Sequence, residues 1–138
     1  MRDLGHWTTQ LILEDTAELP YGFVYQITNL IDNRKYIGKK QCLTVKKRPP
    51  LKGKKNKRCE TVETDWKIYT SSSNELNNDI KKHGIKNFSF EILKWCCSKW
   101  ELSYNEARLQ FINEVLLSNE YYNGIINLRI GKKPRNIL

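Results

Sequence analysis

The stretch YGFVYQITNLIDNRKYIGKK, residues 21–40, decides how the rest of the chain is read. Its first half alternates: Phe23, Tyr25 and Ile27 fall on one face of an extended segment, Val24, Gln26 and Thr28 on the other. Asp32 and Asn33 supply turn chemistry, and Lys35-Tyr36-Ile37-Gly38 reads as the returning strand. The result is a β-hairpin carrying Tyr25 and Tyr36 and ending in a glycine and two lysines. On pattern alone, both tyrosines are accounted for by packing in a sheet.

Working outward, Pro20 marks a boundary before the hairpin, and residues 1–20 form an extension. Its one regular-looking piece, Thr8–Leu13, suits an edge strand or a packing arm. Beyond the hairpin, residues 39–58 hold ten Lys or Arg and no acid, while the remainder carries fourteen bases against fifteen acids. The whole net charge of +9 therefore rests on one segment. Pro49, Pro50 and Gly53 exclude a continuous helix through it, so it reads as a basic loop, mobile until phosphate orders it. A second basic cluster, Arg129, Lys132, Lys133 and Arg135, lies in the tail at 129–138. Concentrated positive charge of this kind favours a polyanion, nucleic acid first.

Further along, Thr64–Tyr69 suits a short helical turn. Ser72 with Glu75 spells a capping box for a helix that buries Leu76 and Ile80 and stops at Gly84. Asn87–Trp95 alternates as a third strand, with Phe88, Phe90 and Ile92 on one face. A long helix is expected from Ser103 to about Leu117, with Tyr104, Arg108, Phe111, Ile112 and Val115 as its apolar stripe. Gly124–Leu128 reads as a last strand or an extended strip. His83 suits a helix C-terminus, where an imidazolium meets the dipole; His6 lies in the extension.

One domain fits 138 residues. No apolar run is long enough to span a membrane and the N-terminus lacks a signal-peptide pattern, so a cytoplasmic protein is expected, in the host cytoplasm if phage-encoded. Cys42, Cys59, Cys96 and Cys97 match no standard zinc spacing, and a reducing compartment argues against disulfides.

The spelling Phe23-Val24-Tyr25-Gln26-Ile27-x-Asn29, followed by Tyr36-Ile37-Gly38, resembles the paired signature of the GIY-YIG nucleases. The first half has Phe-Val-Tyr for Gly-Ile-Tyr, and the second half matches fully. The order strand, strand, helix, strand, helix over residues 21–128 also resembles that domain. The resemblance implies an α/β (α+β) fold, a small antiparallel sheet of about three strands flanked by helices. It implies a stand-alone endonuclease of the phage or mobile-element (homing endonuclease) type.

The resemblance further implies a Mg²⁺- or Mn²⁺-dependent DNA endonuclease with a defined site. Tyr25 matches the first tyrosine, the base for the attacking water; because a free phenol has a pKa of about 10, it needs a cation nearby, which Lys39, Lys40 or the basic loop could supply. Tyr36 matches the second tyrosine. The metal-binding glutamate falls on the helix after the third strand, where Glu106 is the choice and Glu114 the reserve. Ser103-x-x-Glu106 is also a capping box, which would explain this glutamate without a metal. A single Mg²⁺ keeping several waters is consistent with one protein carboxylate.

The family arginine has no clean match. Arg48 is the chemical candidate, with Lys67 and Arg58 as alternatives if the loop is an insertion. Tyr69 stands roughly where relatives carry an extra His or Tyr, and the terminal asparagine is Asn123 or Asn127. Lys39, Lys40, Lys46, Lys47, Lys52, Lys54, Lys55, Lys57 and Arg58 are the expected DNA contacts, on duplex, branched or nicked substrate. One such site cuts one strand at a time, so double-strand cleavage would imply sequential action or a dimer. The competing classes are a catalytically inactive nucleic-acid-binding module of the same fold and a basic RNA-binding protein.

Overall fold

The tyrosine hairpin forms the middle of the sheet in a computed structural model that describes residues 2–11, 13 and 17–135. After the two-residue strand β1 (Thr8–Thr9) come β2 (Gly22–Asn29) and β3 (Lys35–Gln41). These pair antiparallel, with Tyr25 opposite Gly38 and Ile27 opposite Tyr36. Within the expected Asp32-Asn33 turn, Asn33 takes the left-handed position at φ 64°. β6 (Phe88–Cys96) pairs antiparallel with the other side of β2, and β1 adds in parallel to β6, giving the order β1-β6-β2-β3. The expected three antiparallel strands are present, and the arm contributes the fourth. Of the expected Thr8–Leu13 piece only Thr8 and Thr9 are strand; Ile12 lies outside the described residues.

β2 is buried on both faces, which alternation alone understates. Phe23, Tyr25 and Ile27 enter a cluster with Trp7, Trp66, Leu76, Phe90 and Ile92. Val24 enters the opposite one with Ile37, Cys96, Leu102 and Val115. Between Val24 and Tyr25 the register against β6 slips, from Val24–Lys94 to Tyr25–Ile92, a bulge at the tyrosine itself. Bulges of this kind re-aim a side chain and tighten local twist.

Helix α1 (Asn74–His83) is capped by Ser73, whose Oγ accepts from the Leu76 amide at 3.3 Å, so Ser72 is not the cap. Ser71, at φ 91°, turns the chain immediately before it. Gly84 ends the helix at φ 88°, as expected, with His83 in its last turn. The expected helical turn is present as a 3₁₀ turn at Trp66–Ile68.

Helix α2 (Lys99–Ile112) begins and ends earlier than the sequence pattern suggested. Ser98 is its N-cap, accepting from the Glu101 amide at 3.1 Å, while Glu101 reaches back to the Cys97 amide. The chain spells two capping boxes one turn apart, and the end of β6 at Cys96 selects the first. Ser103 is thus inside the helix. At the other end Glu114, at φ 52°, breaks the helix. The buried face is Leu102, Asn105, Ala107 and Gln110, whereas Tyr104, Phe111 and Ile112 of the expected stripe are exposed.

The segment expected as a basic loop at 39–58 is strand at its two ends and loop at 49–57. β4 (Leu43–Arg48) and β5 (Arg58–Glu63) pair antiparallel as a separate two-stranded ribbon with residues 49–57 at its tip. Residues 124–128 are extended without regular pairing; the sheet contact lies just before them, a parallel bridge between Lys35 and Tyr121. Among the described residues, no helix is long and apolar enough to cross a membrane. The four cysteines are free thiols, Cys42 and Cys96 buried, Cys59 and Cys97 exposed.

Candidate active site

Sheet geometry places Tyr36, Gly38 and Lys40 on the face of Tyr25, because directly opposed residues of an antiparallel pair share a face. Tyr25 and Tyr36 lie 6.1 Å apart by ring centroids, and Tyr69, from just after the 3₁₀ turn, meets Tyr25 edge-on at 6.2 Å. The Tyr25 hydroxyl hydrogen-bonds that of Tyr69, and the Ser72 hydroxyl engages both Tyr36 and Tyr69. Displaced from capping α1, exposed Ser72 joins the tyrosine cluster instead. A small cleft of about 220 Å³ opens beside it, lined by Tyr36, Ser72, Ser73, Asn123 and Gly124 among others.

Gly38 is what lets this cluster close. A methyl group there would lie 2.6 Å from the Tyr25 hydroxyl oxygen and 2.8 Å from an edge carbon of the Tyr36 ring. The glycine of the Tyr-Ile-Gly run is required by the phenol across the strand.

The outer edge of β3 explains where the remaining site residues go. An edge strand leaves alternate backbone groups unpaired, and buried ones need partners. Lys35 donates to the Glu120 carbonyl and accepts from the Tyr122 amide, both at 2.7 Å. Ile37 is bracketed by Asn123, whose Oδ1 accepts from its amide at 3.0 Å and whose Nδ2 donates to its carbonyl at 2.8 Å. Gln110 of α2 donates to the same carbonyl at 2.9 Å. At Lys39 the backbone N–H is taken by the Glu106 carboxylate.

Glu106 therefore sits at the strand edge one turn from Gln110, with the Lys39 ammonium 3.9 Å away and Ser103 Oγ accepting from that ammonium at 3.0 Å. Burial pushes the Glu106 carboxyl above its usual range, and the Lys39 charge and amide pull part of that back. Since Ser98 and Glu101 cap the helix, no capping role is left to Glu106. Among the described residues no group of three His, Cys, Asp or Glu converges.

Electrostatics around Tyr25 oppose ionisation. Its phenol is 1% exposed, and burial raises its pKa well above the ordinary value, reinforced by Tyr36, Tyr69 and Glu106. The expected help from Lys39 and Lys40 is directed elsewhere: Lys39 faces Glu106, and Lys40 pairs with Asp65 at 2.9 Å while lying 4.2 Å over the Tyr69 ring. In this state Tyr25 is a neutral phenol.

The arginine candidates lie apart from these tyrosines. Arg48 pairs with Glu60 on the ribbon at 2.5 Å, and Arg58 donates to the Pro49 carbonyl. Lys67 faces Asp3 and Glu63 at 3.5 and 3.9 Å. Among the described residues, no arginine bonds to or stacks on Tyr25, Tyr36 or Tyr69. Asn127 is exposed, and Glu114, the reserve carboxylate, lies beyond the helix end. Lys39 and Lys40 stand at the site; Lys46, Lys47, Lys52, Lys54, Lys55, Lys57 and Arg58 all belong to the ribbon or its tip. His6 stacks on Phe90 at 4.0 Å, with Nε2 3.0 Å from the Tyr69 carbonyl, so the N-terminal arm buttresses the third tyrosine.

The site roles of Ser72 and Gln110 have no signal in the sequence, where Gln110 reads only as a polar neighbour of Glu106 on one helix face. Ser72 read better as a cap, and a glutamine that satisfies a distant strand edge has no local signature.

Asn123 offers a direct check of this edge. Asn123→Asp retains the acceptor for the Ile37 amide but removes the donor and sets a carboxylate against the Ile37 carbonyl. A loss of about 1–3 kcal/mol in denaturant unfolding is expected, with hydrogen-exchange protection falling first along β3.

No curated protein and no solved structure matches the chain. A family model described as "Putative endonuclease segE, GIY-YIG domain" matches residues 7–126, a span that takes in Trp7 of the core, the tyrosine hairpin, the ribbon, both helices and the β3-edge segment with Asn123. The match covers most of the chain, and the paired tyrosine strands, Gly38 and the helix bearing Glu106 all fall within it: the protein belongs to the GIY-YIG nuclease family.

Proposed function

We propose that this chain is a metal-dependent DNA endonuclease that hydrolyses phosphodiester bonds, with Tyr25 as proton acceptor for water and Glu106 as the single protein carboxylate for Mg²⁺ or Mn²⁺. The observation that carries the reading is the convergence of three tyrosine hydroxyls beside a half-buried carboxylate, packed so tightly that only glycine fits opposite Tyr25. A lone carboxylate suits a hard cation that keeps most of its waters. Bound at Glu106, such an ion would cancel a negative charge that opposes Tyr25 ionisation and offset charge building on the phosphate.

The chain's own groups divide the remaining work. To act as the base Tyr25 would first lose its proton to solvent; as a phenolate it would accept a proton from the attacking water, with the Tyr69 hydroxyl turned to donate to its oxygen. Tyr36 and Ser72 border the cleft where a phosphate oxygen would lie. Lys40, 4.2 Å over the Tyr69 ring, is a cation at the tyrosine cluster and would take the place that Arg48, Lys67 or Arg58 was expected to fill. Asn123 holds the Tyr-Ile-Gly strand as a positioning residue. We place the enzyme with its DNA in the cytoplasm.

A second reading, a DNA-binding module without catalysis, is favoured by one feature: the absence, among the described residues, of an arginine contacting the tyrosines. Supercoiled plasmid separates the two. Metal-dependent conversion to nicked circles is expected; retarded but uncut plasmid, duplex or nicked, in both Mg²⁺ and Mn²⁺ would establish the binding module instead.

A further inference from the structure

Only the base of the β4–β5 ribbon meets the domain core, through Leu43 against the main cluster and Glu63 on Trp66. Residues 45–47 and 49–61 are exposed, and Val45 lies 61% open to solvent. The ribbon's base is fastened by the Thr64 amide donating to the Cys42 carbonyl at 2.8 Å, Thr64 Oγ1 to the Gln41 carbonyl at 2.6 Å, and the Leu43 amide to the Tyr21 carbonyl at 3.3 Å. Beyond that base both faces are largely exposed, and a two-stranded ribbon of that kind is marginal in water, which points to a partner that completes it.

Its chemistry names the partner. Register places Val45 opposite Thr61 and Lys47 opposite Cys59, so these four side chains share one face; at its base that face also carries Leu43 opposite Glu63, whose carboxylate accepts from Trp66 Nε1 at 2.8 Å. The other face pairs Lys46 with Glu60 and Arg48 with Arg58, and there Glu60 is occupied by Arg48. The tip adds Lys52, Lys54, Lys55 and Lys57. Among the described residues, none of these four, nor Lys46 or Lys47, makes an ion pair.

Dimensions narrow the choice further. Six paired residues make a ribbon about 20 Å long with strands about 5 Å apart. The major groove of B-DNA, about 12 Å wide, admits a two-stranded β-ribbon, whereas its minor groove, about 6 Å wide, does not; the major groove of duplex RNA is too deep and narrow for side chains to read.

Building on the nuclease reading, we propose that this ribbon enters the major groove of duplex DNA with the Val45, Lys47, Cys59 and Thr61 face toward the base edges. The tip lysines and the opposite face then lie on flanking phosphates. The Val45 and Thr61 methyl groups can meet thymine methyls, and Lys47 can reach the O6 and N7 acceptors of guanine. The ribbon, set apart from the tyrosine site, would give the enzyme its sequence preference.

The test uses binding without divalent metal, so it does not depend on cutting. A preferred duplex is selected from a randomised pool, then probed with dimethyl sulfate, which methylates guanine N7 in the major groove and adenine N3 in the minor groove. Guanine N7 protection across part of one helical turn is expected. Val45→Ala with Lys47→Gln should weaken the selected duplex by at least about tenfold more than a random one, and shrink the protected patch. Lys52, Lys54, Lys55 and Lys57→Gln should weaken both duplexes alike and flatten the salt dependence by about 0.9 in log–log slope for each phosphate no longer neutralised. Thermal melts of each variant exclude misfolding.

Protection confined to adenine N3, equal affinity for duplex RNA, an unchanged selected sequence in the face variant, or no duplex binding would overturn the proposal. Cleavage with an indifferent ribbon would leave the nuclease reading standing. Guanine protection without any cleavage would leave the ribbon proposal standing and remove the nuclease one.

Discussion

Gly38→Ala is expected to cost about a hundredfold in cleavage while the protein still folds and binds duplex DNA. The added methyl group would sit 2.6 Å from the Tyr25 oxygen and 2.8 Å from its Cζ. Ordinary contact there begins near 3.4 Å, so the phenol must retreat by close to 1 Å or β3 must bend. Tyr25 is fully buried between Trp7, Tyr36 and Tyr69, so its ring has no free direction in which to move. Misplacement of a reacting group by about 1 Å is worth roughly a hundredfold in rate. Overpacking should cost about 1–3 kcal/mol of stability. Plasmid nicking under single-turnover conditions, beside a denaturant melt, measures both. A Gly38→Ala protein that cuts normally would remove Tyr25 from the chemistry.

Glu106→Gln separates the proposed metal binding from architecture, because the first needs the carboxylate charge and the second only an acceptor oxygen. Glutamine keeps the oxygen that accepts from the Lys39 amide and keeps the helix surface, but has no charge for a divalent ion. Cleavage is expected to fall by about a hundredfold or more, the scale set by removing one preorganised electrostatic group. Stability should change by less than about 1 kcal/mol: the lost partner, Lys39, is 3.9 Å away and largely in solvent, and burial already disfavours the charge. Calorimetric titration with Mn²⁺ supplies a readout independent of turnover, with binding heat lost in the variant.

Acid pH should act on the same group. The folded carboxyl is raised above its usual range, so protons compete with metal at a higher pH than an exposed glutamate would allow. Near wild-type cleavage by Glu106→Gln would mean that the metal is held elsewhere.

Local rules were sufficient wherever the determining atoms lay within a few residues of one another. Alternation from Phe23 to Thr28, the Asp32-Asn33 turn and the Tyr36-Ile37-Gly38 return specified the hairpin, since strand period and turn chemistry are short-range. The Gly84 stop and the Phe88–Ile92 strand were legible for the same reason. A pair of nearly identical capping boxes, Ser98-x-x-Glu101 and Ser103-x-x-Glu106, could not be ranked locally; only the pairing of β6 through Cys96 with Gly22 fixes where α2 must start. The face of α2 that packs on β2, β3 and β6 is Leu102, Asn105, Ala107 and Gln110, which leaves Tyr104 and Phe111 outside.

The basic segment is legible in its charge but not in its form, because the consecutive Lys46-Lys47-Arg48 and the mixed Arg58-Cys59-Glu60 give no alternating apolar signal for a strand. What tertiary structure alone decided is the company each site residue keeps. The sequence by itself supplied Tyr25, Tyr36, Gly38 and Glu106 in order, with the concentration of charge beyond them. The backbone groups left unpaired on the outer edge of β3 then drew in Glu106, Gln110 and Asn123 from more than sixty residues away. That selection is made by unpaired hydrogen-bonding groups at a sheet edge, and they exist only once the sheet has formed.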